Sequence, residues 1–341
     1  MKAMVLNEIT KIPENQNPLE LVDISIPQPA SHEILVKVST CGVCHTELDE
    51  IEGRTPPHSL PVIPGHQVVG LVEKIGSQVK NINLGDRVGI AWIYSSCGIC
   101  KFCKSGMENL CPNFLATGRD VNGGYAQYMT VHSGFAYHIP EAFSDQQAAP
   151  LLCAGAIGYR SLRLSNLQDG GNLGLAGFGG SGHLVLKMVK YLYPNTKIFV
   201  FSRTKEERSF AENLGADWTG DFDHTTPEKL DCIIETTPVW KPIVEGLFNL
   251  NPGGRLVINA IRKEDLDNEY LLRLDYSSHL WMEKEIKSVA NITRQDIKEF
   301  LDLAARIPIL PEVQEFKLEE ANHALVELKT RKIRGSKVLT I

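Results

Sequence analysis

Residues 172–183, NLGLAGFGGSGH, decide the fold that this chain is expected to adopt. The first seven form an apolar run that predicts a buried strand. The strand leads into a G-x-G-x-x-G pattern that consists of Gly177, Gly179, Gly180 and Gly182. A helical pattern follows, and its apolar face contains Leu184, Val185, Met188, Val189 and Leu192. Because the glycines lie between a strand and a helix, we predict a turn whose backbone N–H groups hold the pyrophosphate of a dinucleotide.

Strands and helices continue to alternate beyond this turn. Further strands are predicted at residues 197–201, 231–235 and 255–260. Thr204 and Glu207 are spaced as a capping box for a helix that ends at Gly215. This alternation predicts an α/β fold with a doubly wound parallel sheet.

The end of the second strand bears on the choice of dinucleotide. NAD-binding proteins place an acidic residue there for the ribose hydroxyls. This chain instead has Ser202 and Arg203, with Arg208 close by and no carboxylate at that position. A hydroxyl and cations suit a 2′-phosphate, so NADP(H) is favoured over NAD(H). The alternative is that Arg203 stacks on adenine and NAD binds without a carboxylate.

The first 150 or so residues have a different character. Short β-like runs at residues 33–40, 68–75 and 127–131 are separated by glycine and proline. Such a pattern predicts a β-rich, partly open, barrel-like domain.

The C-terminal tail is expected to return to this β-rich domain. Two amphipathic helices follow residue 288, one of them opened by Thr293 and Asp296, and a final strand is predicted at residues 336–341. We therefore expect one domain made of residues 1–153 and 289–341, and a second made of residues 154–288.

Four cysteines fall within fifteen residues, with the spacing C-x2-C-x2-C-x7-C. They are Cys97, Cys100, Cys103 and Cys111. Four thiolates this close in sequence are typical of a closed, tetrahedral structural zinc site. An iron–sulfur cluster is the competing interpretation, but the ferredoxin motif has three residues before its last cysteine where this chain has seven. A cluster without metal is the remaining alternative.

Three dispersed residues are candidates for a second metal site. Cys44 lies in CGVCHTE, His66 in PGHQ and Cys153 in LLCAG. Individually, each means little, because a lone cysteine in an apolar run is most often a core residue and a lone histidine after glycine is more often a turn residue. Together, two thiolates and one neutral imidazole balance the charge of Zn²⁺ and leave a fourth position open for water or substrate.

Composition excludes several classes of function. The 341 residues are 43% hydrophobic and 22% charged with a net charge of −6, which is ordinary for a globular protein of about two domains. The lack of a basic stripe argues against a nucleic-acid partner. No apolar run approaches the roughly 20 residues of a membrane span, and polar residues interrupt the N-terminus too early for a secretory signal. We therefore expect a cytoplasmic protein whose eight cysteines are metal ligands or free thiols.

Six stretches together carry a resemblance to a known family. They are CGVCHTE, PGHQVVG, the four-cysteine loop, GGYAQYM, AGFGGSGH and KIRGSKVL. Over essentially its whole length the chain resembles the zinc-containing medium-chain alcohol dehydrogenases. The resemblance implies a Rossmann cofactor domain beside a GroES-like catalytic domain, and two zinc ions per chain. It also implies reversible hydride transfer between NAD(P) and a small primary or secondary alcohol or its carbonyl product, in a homodimer or homotetramer.

The resemblance also assigns roles to individual residues. It makes Cys44, rather than Cys41, the first ligand of the catalytic zinc, with His66 and Cys153 as the others. Thr46 becomes the hydroxyl that accepts the alcohol proton. The remaining assignments are His45 and Arg334 near the pyrophosphate and Trp92 in the substrate pocket.

Two departures from the family pattern stand out. Asp49 occupies the position of a relay histidine, so proton exit would use that carboxylate, the cofactor ribose and water. Gln67 replaces the glutamate that usually follows the ligand histidine. The alternative functions are a polyol, sugar or amino-alcohol dehydrogenase, a metal-free alkene reductase of the same fold, and a non-enzymatic zinc-binding protein.

Overall fold

The computed structural model describes residues 1–307, 309–330 and 335–341. These residues form two compact units. The β-rich unit comprises Met1–Cys153 and Thr293–Ile341, and the parallel-sheet unit comprises Ala154–Ile292.

The strands, in chain order, are β1 (Lys2–Leu6), β2 (Leu19–Asp23), β3 (Glu33–Val43), β4 (Val68–Ile75), β5 (Arg87–Ile90), β6 (Ile93–Ser95), β7 (Leu115–Ala116), β8 (Tyr128–His132), β9 (Ala136–His138), β10 (Asn172–Ala176), β11 (Lys197–Phe201), β12 (Trp218–Gly220), β13 (Leu230–Glu235), β14 (Leu250–Ile258), β15 (Glu285–Ser288), β16 (Val313–Lys317) and β17 (Ser336–Thr340). The α-helices are α1 (His45–Ile51), α2 (Lys101–Lys104), α3 (Asp145–Pro150), α4 (Ala156–Ser165), α5 (Gly180–Leu192), α6 (Lys205–Asn213), α7 (Lys241–Asn249), α8 (Arg294–Arg306) and α9 (Ala321–Lys329). Short π- or 3₁₀-helical turns occur as well, among them Leu151–Gly155 and Asp265–Arg273.

The β-rich unit is built around β3. Its first half pairs with β8 and its second half with β17, while β4 lies along its other edge. The order β16-β17-β3-β4-β5-β9 is antiparallel except for the β16–β17 pair. Because β3 runs directly into α1, the helix that follows Cys44 is held at the end of the central strand.

The parallel-sheet unit has a sheet in the order β12-β11-β10-β13-β14-β15, and every pair is parallel. Its strand order is that of a doubly wound dinucleotide-binding sheet, with the reversal between β10 and β13. The apolar face predicted for α5 is buried at Leu184, Val185 and Met188. The predicted α/β class is confirmed.

Two local expectations are wrong. The strand expected at residues 255–260 begins earlier, at Leu250, and ends at Ile258. The capping box at Thr204 is only half formed: Thr204 Oγ1 accepts from the Glu207 N–H at 3.2 Å, but the Glu207 carboxylate binds the Ser202 hydroxyl instead. Within the described ranges, no helix is long and apolar enough to cross a bilayer.

Candidate metal and cofactor sites

Cys44 is held where β3 ends and α1 begins. It is the residue that precedes the first turn of α1, and its backbone N–H donates to Glu47 Oε2 at 2.8 Å. A glutamate at the third helical position that reaches back in this way satisfies one of the free N–H groups at the start of a helix. The backbone of Cys44 is therefore fixed at the start of α1.

The three dispersed ligand candidates converge in the structure. Their ligand atoms, from Cys44, His66 and Cys153, all lie within 4.8 Å of one another, and the two Sγ atoms are 4.0 Å apart. His66 is 1% exposed, its Nδ1 lies 2.5 Å from Glu47 Oε1, and its Nε2 is buried without a hydrogen-bond partner in the described chain. A buried imidazole nitrogen beside two thiols fits a zinc ion that leaves one position open.

The charges around this group favour a cation at its centre. A hydrogen bond from Cys153, followed by the proximity of His66, lowers the pKa of the Cys44 thiol well below its usual range. Burial alone lowers the pKa of His66, but the Glu47 carboxylate and the Cys44 thiolate raise it well above its usual range. Positive charge is thus stabilised there, and Zn²⁺ supplies it when bound.

The four clustered cysteines also converge. The sulfurs of Cys97, Cys100, Cys103 and Cys111 lie within 4.8 Å of one another, and those of Cys97 and Cys100 are 3.9 and 3.6 Å from that of Cys103. Zn–S bonds of 2.3 Å in a tetrahedron give sulfur–sulfur distances of about 3.8 Å. Hydrogen bonds from the backbone at Ile99 and Cys100 lower the pKa of Cys97 to about 6, whereas burial raises the pKa of Cys111 to about 11, so Cys97 is the thiol that ionises first.

Four further predicted residues lie on or near α1. The Thr46 hydroxyl oxygen is 3.7 Å from Cys44 Sγ, and His45 is exposed at the first position of the helix. Asp49 is buried and accepts from Arg54 Nε at 2.6 Å. Trp92 is 7% exposed and lies 3.4 Å, through Nε1, from Glu50 Oε1.

The glycine turn between β10 and α5 has the shape of an anion cradle. Gly177 has φ +89°, and a Cβ there would lie 2.5 Å from Thr236 Oγ1. A Cβ on Gly182 would lie 2.6 Å from the Gly177 carbonyl oxygen. Space is open above Gly179, and a Cβ on Gly180 would have only an ordinary contact with Ala154. The backbone N–H groups at the start of α5 can therefore approach a pyrophosphate closely.

The end of β11 carries both cationic and acidic groups. Ser202 is 1% exposed and donates its hydroxyl to Glu207, while Arg208 Nη1 donates to the carbonyls of Ser202 and Arg203 at 2.6 and 3.2 Å. The Arg203 side chain is exposed and has no hydrogen bond or ion pair to any residue of the described ranges. The Arg203 guanidinium is thus available to a ligand, whereas the Arg208 guanidinium is bound to backbone carbonyls.

The sequence analysis did not identify two carboxylates of these sites, Glu47 and Glu207. Glu47 orients His66, and the signal for it was the spacing of three residues from Cys44. Glu207 brings a carboxylate to Ser202, which its position on the next helix concealed. Arg334 lies outside the described residues. The remaining cysteines, Cys41 and Cys232, are buried in β3 and β13.

Comparisons with known proteins agree with this geometry. Residues 30–141 match the model of the alcohol dehydrogenase GroES-like domain. A probable alcohol dehydrogenase of Mycobacterium tuberculosis is 43% identical over 96% of this chain and 94% of its own length. An alcohol dehydrogenase of Geobacillus stearothermophilus is 34% identical over 100% of this chain and 99% of its own.

A solved structure supports the same assignment. The cinnamyl alcohol dehydrogenase of Sorghum bicolor superposes with a TM-score of 0.86 and 26% identity, over 99% of this chain and 97% of that one. Both the GroES-like and the Rossmann parts of the predicted fold are thereby confirmed. The chain belongs to the zinc-containing medium-chain alcohol dehydrogenase family.

Proposed function

We propose that this NAD(P)-dependent alcohol dehydrogenase reacts at a zinc ion held by Cys44, His66 and Cys153. The observation that carries the proposal is the buried His66 Nε2, which faces two thiols and has no protein partner in the described chain. Bound zinc acts as a Lewis acid that makes the hydroxyl of an alcohol more acidic, and a nicotinamide accepts or donates the hydride.

The chain's own residues prepare and move the proton. Glu47 accepts from His66 Nδ1, which fixes the tautomer that leaves Nε2 as the ligand atom. Thr46 Oγ1 is the proposed acceptor of the substrate proton, since Thr46 is half-buried in the first turn of α1 and its hydroxyl lies 3.7 Å from Cys44 Sγ. Asp49 is the proposed next acceptor, since it lies three residues further along α1, where its buried carboxylate accepts from Arg54 Nε at 2.6 Å.

Replacement of Cys44 tests this site. C44S is expected to lower kcat about a thousandfold or more, because several kcal/mol of electrostatic stabilisation are lost. Zinc content should fall from two ions to one per chain by elemental analysis, while dinucleotide binding persists. Cys41→Ser is the matched control, since Cys41 is buried in β3 three residues earlier. Equal turnover in C44S and C41S would exclude the assignment.

NADP(H) is the proposed dinucleotide because Arg203 is exposed and uncommitted where a 2′-phosphate would lie. NAD(H) is the second candidate, and the Glu207 carboxylate beside Ser202 is the observation that favours it. The two candidates predict opposite results for two variants.

If NADP(H) is the cofactor, Arg203→Ala should weaken NADPH binding about tenfold or more through loss of a charge-assisted contact and leave NADH nearly unchanged. E207Q should then have little effect on NADPH. If NAD(H) is the cofactor, E207Q should weaken NADH binding and R203A should not. Nicotinamide fluorescence titration at fixed ionic strength distinguishes the two patterns.

The substrates are small alcohols and their aldehydes or ketones. Trp92, whose ring centroid lies 5.3 Å from that of Phe114, is the proposed aromatic wall of the substrate pocket. Such a wall favours apolar alcohols over the polyols, sugars and amino alcohols of the alternative function. A panel of alcohols and carbonyl compounds, assayed in both directions, tests that preference.

We also propose that two copies associate through β15. All four of its residues are exposed, and among the described strands it pairs on one side only, with β14. Within the strand Ile286 is 44% exposed, and the preceding Trp281 and Met282 are 55 and 53% exposed. An uncovered sheet edge with apolar neighbours favours pairing with a second sheet.

A further inference from the structure

Two loops meet at the carboxyl edge of the parallel sheet. One follows β13 at residues 236–240, and the other follows β14 at residues 259–264. In sheets of this topology, a nucleotide lies outside the carboxyl ends of the strands at the reversal of strand order, here between β10 and β13. The loop after β13 therefore borders the expected path of the cofactor.

Lys263 joins these loops from a buried position. Its Nζ donates to the carbonyl oxygens of Thr237 at 2.7 Å and Val239 at 3.3 Å, and it also contacts Glu235 Oε2. The side chains of Lys263 and Glu235 are 8% and 0% exposed. All three donor positions of the ammonium are thus directed to the loop after β13 or to the end of that strand.

Glu235 fixes the same loop through its second oxygen. Its Oε1 accepts from the backbone N–H of Thr237 at 2.7 Å and from the Thr237 hydroxyl. The ion pair therefore contacts the loop at two carbonyls, one N–H and one side-chain hydroxyl. Burial of two charges is costly, and an apolar pair of similar volume often gives equal or greater stability, so stability alone does not account for this pair.

Further hydrogen bonds join the loop after β13 to residues that follow β14. The Glu264 N–H donates to the Pro238 carbonyl at 2.6 Å. The Asp267 carboxylate accepts from the N–H groups of Trp240 at 3.0 Å and Lys241 at 2.8 Å, at the start of α7. The loop after β13 is consequently held along its length by residues that follow β14.

We propose that Lys263 and Glu235 are positioning residues that fix the loop after β13 before the cofactor binds. The pyrophosphate is expected at the glycine turn after β10 and the adenosine ribose at the end of β11, so the nicotinamide half extends toward β13 and β14. The clamp formed by Lys263 and Glu235 gives that half a preformed edge, and no loop ordering is then needed on binding. The inference rests on the proposed dinucleotide site at Gly177–Gly182.

The test separates the two halves of the cofactor. NADPH spans the whole site, whereas 2′,5′-ADP occupies only the adenosine half. Both are titrated by calorimetry against the wild type, K263M and the double variant K263M/E235M. The double variant removes both buried charges and replaces them with apolar side chains of similar length, so that the variant protein can still fold. Lys229→Met is the matched control, because Lys229 also donates to a backbone carbonyl of this unit, that of Phe248 at 2.7 Å, but at the amino end of β13.

The clamp predicts that K263M and the double variant bind NADPH about tenfold or more weakly while 2′,5′-ADP binding changes less than about twofold. K229M should match the wild type for both. Unchanged NADPH affinity in the double variant, or equal weakening of both ligands, would overturn the inference. If the wild type fails to bind 2′,5′-ADP but binds NADH, the NADP assignment is wrong and the same comparison is made with NADH and 5′-AMP.

Hydrogen exchange on the wild type tests the clamp without any variant. The amides of Thr236, Thr237 and Trp240, which donate to Ala176, Glu235 and Asp267, should be protected already in the cofactor-free protein, and NADPH should add little to that protection. Rapid exchange that becomes slow only with NADPH would show that the loop is ordered by the cofactor, and would contradict the proposal.

Discussion

Glu47 organises two ligand candidates at once. One carboxylate oxygen accepts from the Cys44 backbone and the other lies 2.5 Å from His66 Nδ1. Because Glu47 is fully buried, its charge is little screened by water and acts directly on the imidazole. The Glu47 side chain therefore fixes both the backbone of Cys44 and the tautomer of the His66 ring.

Replacement of Glu47 by Gln is expected to weaken zinc binding at the Cys44–His66–Cys153 site about 10–100-fold, the usual effect of losing an outer partner of a ligating histidine. Competition with a chromogenic chelator measures the affinity. Glu52→Gln is the control, because Glu52 is also buried at the end of α1 but binds Lys329 and Arg54. Zinc affinity equal to that of the wild type in E47Q would contradict this role.

The four-cysteine loop holds the start of α8 through Glu108. Glu108 lies between Cys103 and Cys111, is 1% exposed, and accepts from the Arg294 backbone N–H at 2.7 Å and from its Nε at 3.0 Å. A bound zinc would therefore order both the loop and the first turn of that helix.

Cys111→Ser tests this coupling between loop and helix. We expect loss of one zinc ion per chain, a lower melting temperature, and faster amide exchange at residues 97–111 and at Arg294, because structural zinc contributes directly to folding. The catalytic zinc should remain. Cys232→Ser removes a buried thiol of β13 and is the control. Two zinc ions in C111S would show that the cluster does not hold metal.

Sequence patterns predict the elements that carry strong apolar periodicity. β4 (VVGLVEKI) and β11 (KIFVF) have the predicted bounds, since both are rich in β-branched or aromatic residues. β15 was missed because all four of its residues are exposed and its pairing with β14 is long-range. Because no residue of β15 is buried, its sequence has no alternation of apolar and polar residues that could reveal a strand.

The residues of the candidate sites also fall into two groups, those given by local sequence signals and those that depend on tertiary contacts. Cysteine spacing and the glycine turn are local signals, so both could be predicted from the chain alone. The partners Glu207 of Ser202 and Lys263 of Glu235 depend on tertiary placement, because each joins residues that follow or end different strands or helices. Side chains that orient or position a ligand are therefore harder to infer than its direct ligands.

The assembly of two copies is predicted to depend on the edge of β15 that has no partner among the described strands. An antiparallel pairing about Ile286 would place Glu285 of one copy opposite Lys287 of the other, so the same surface complements itself about a two-fold axis. I286K puts two like charges at the axis and should shift the protein from dimer to monomer in light scattering after gel filtration. Leu266→Lys, a change at a side chain 78% exposed outside the strand, is the control. A dimer that persists in I286K would place the interface elsewhere, because the unpaired edge would then have no measurable part in association.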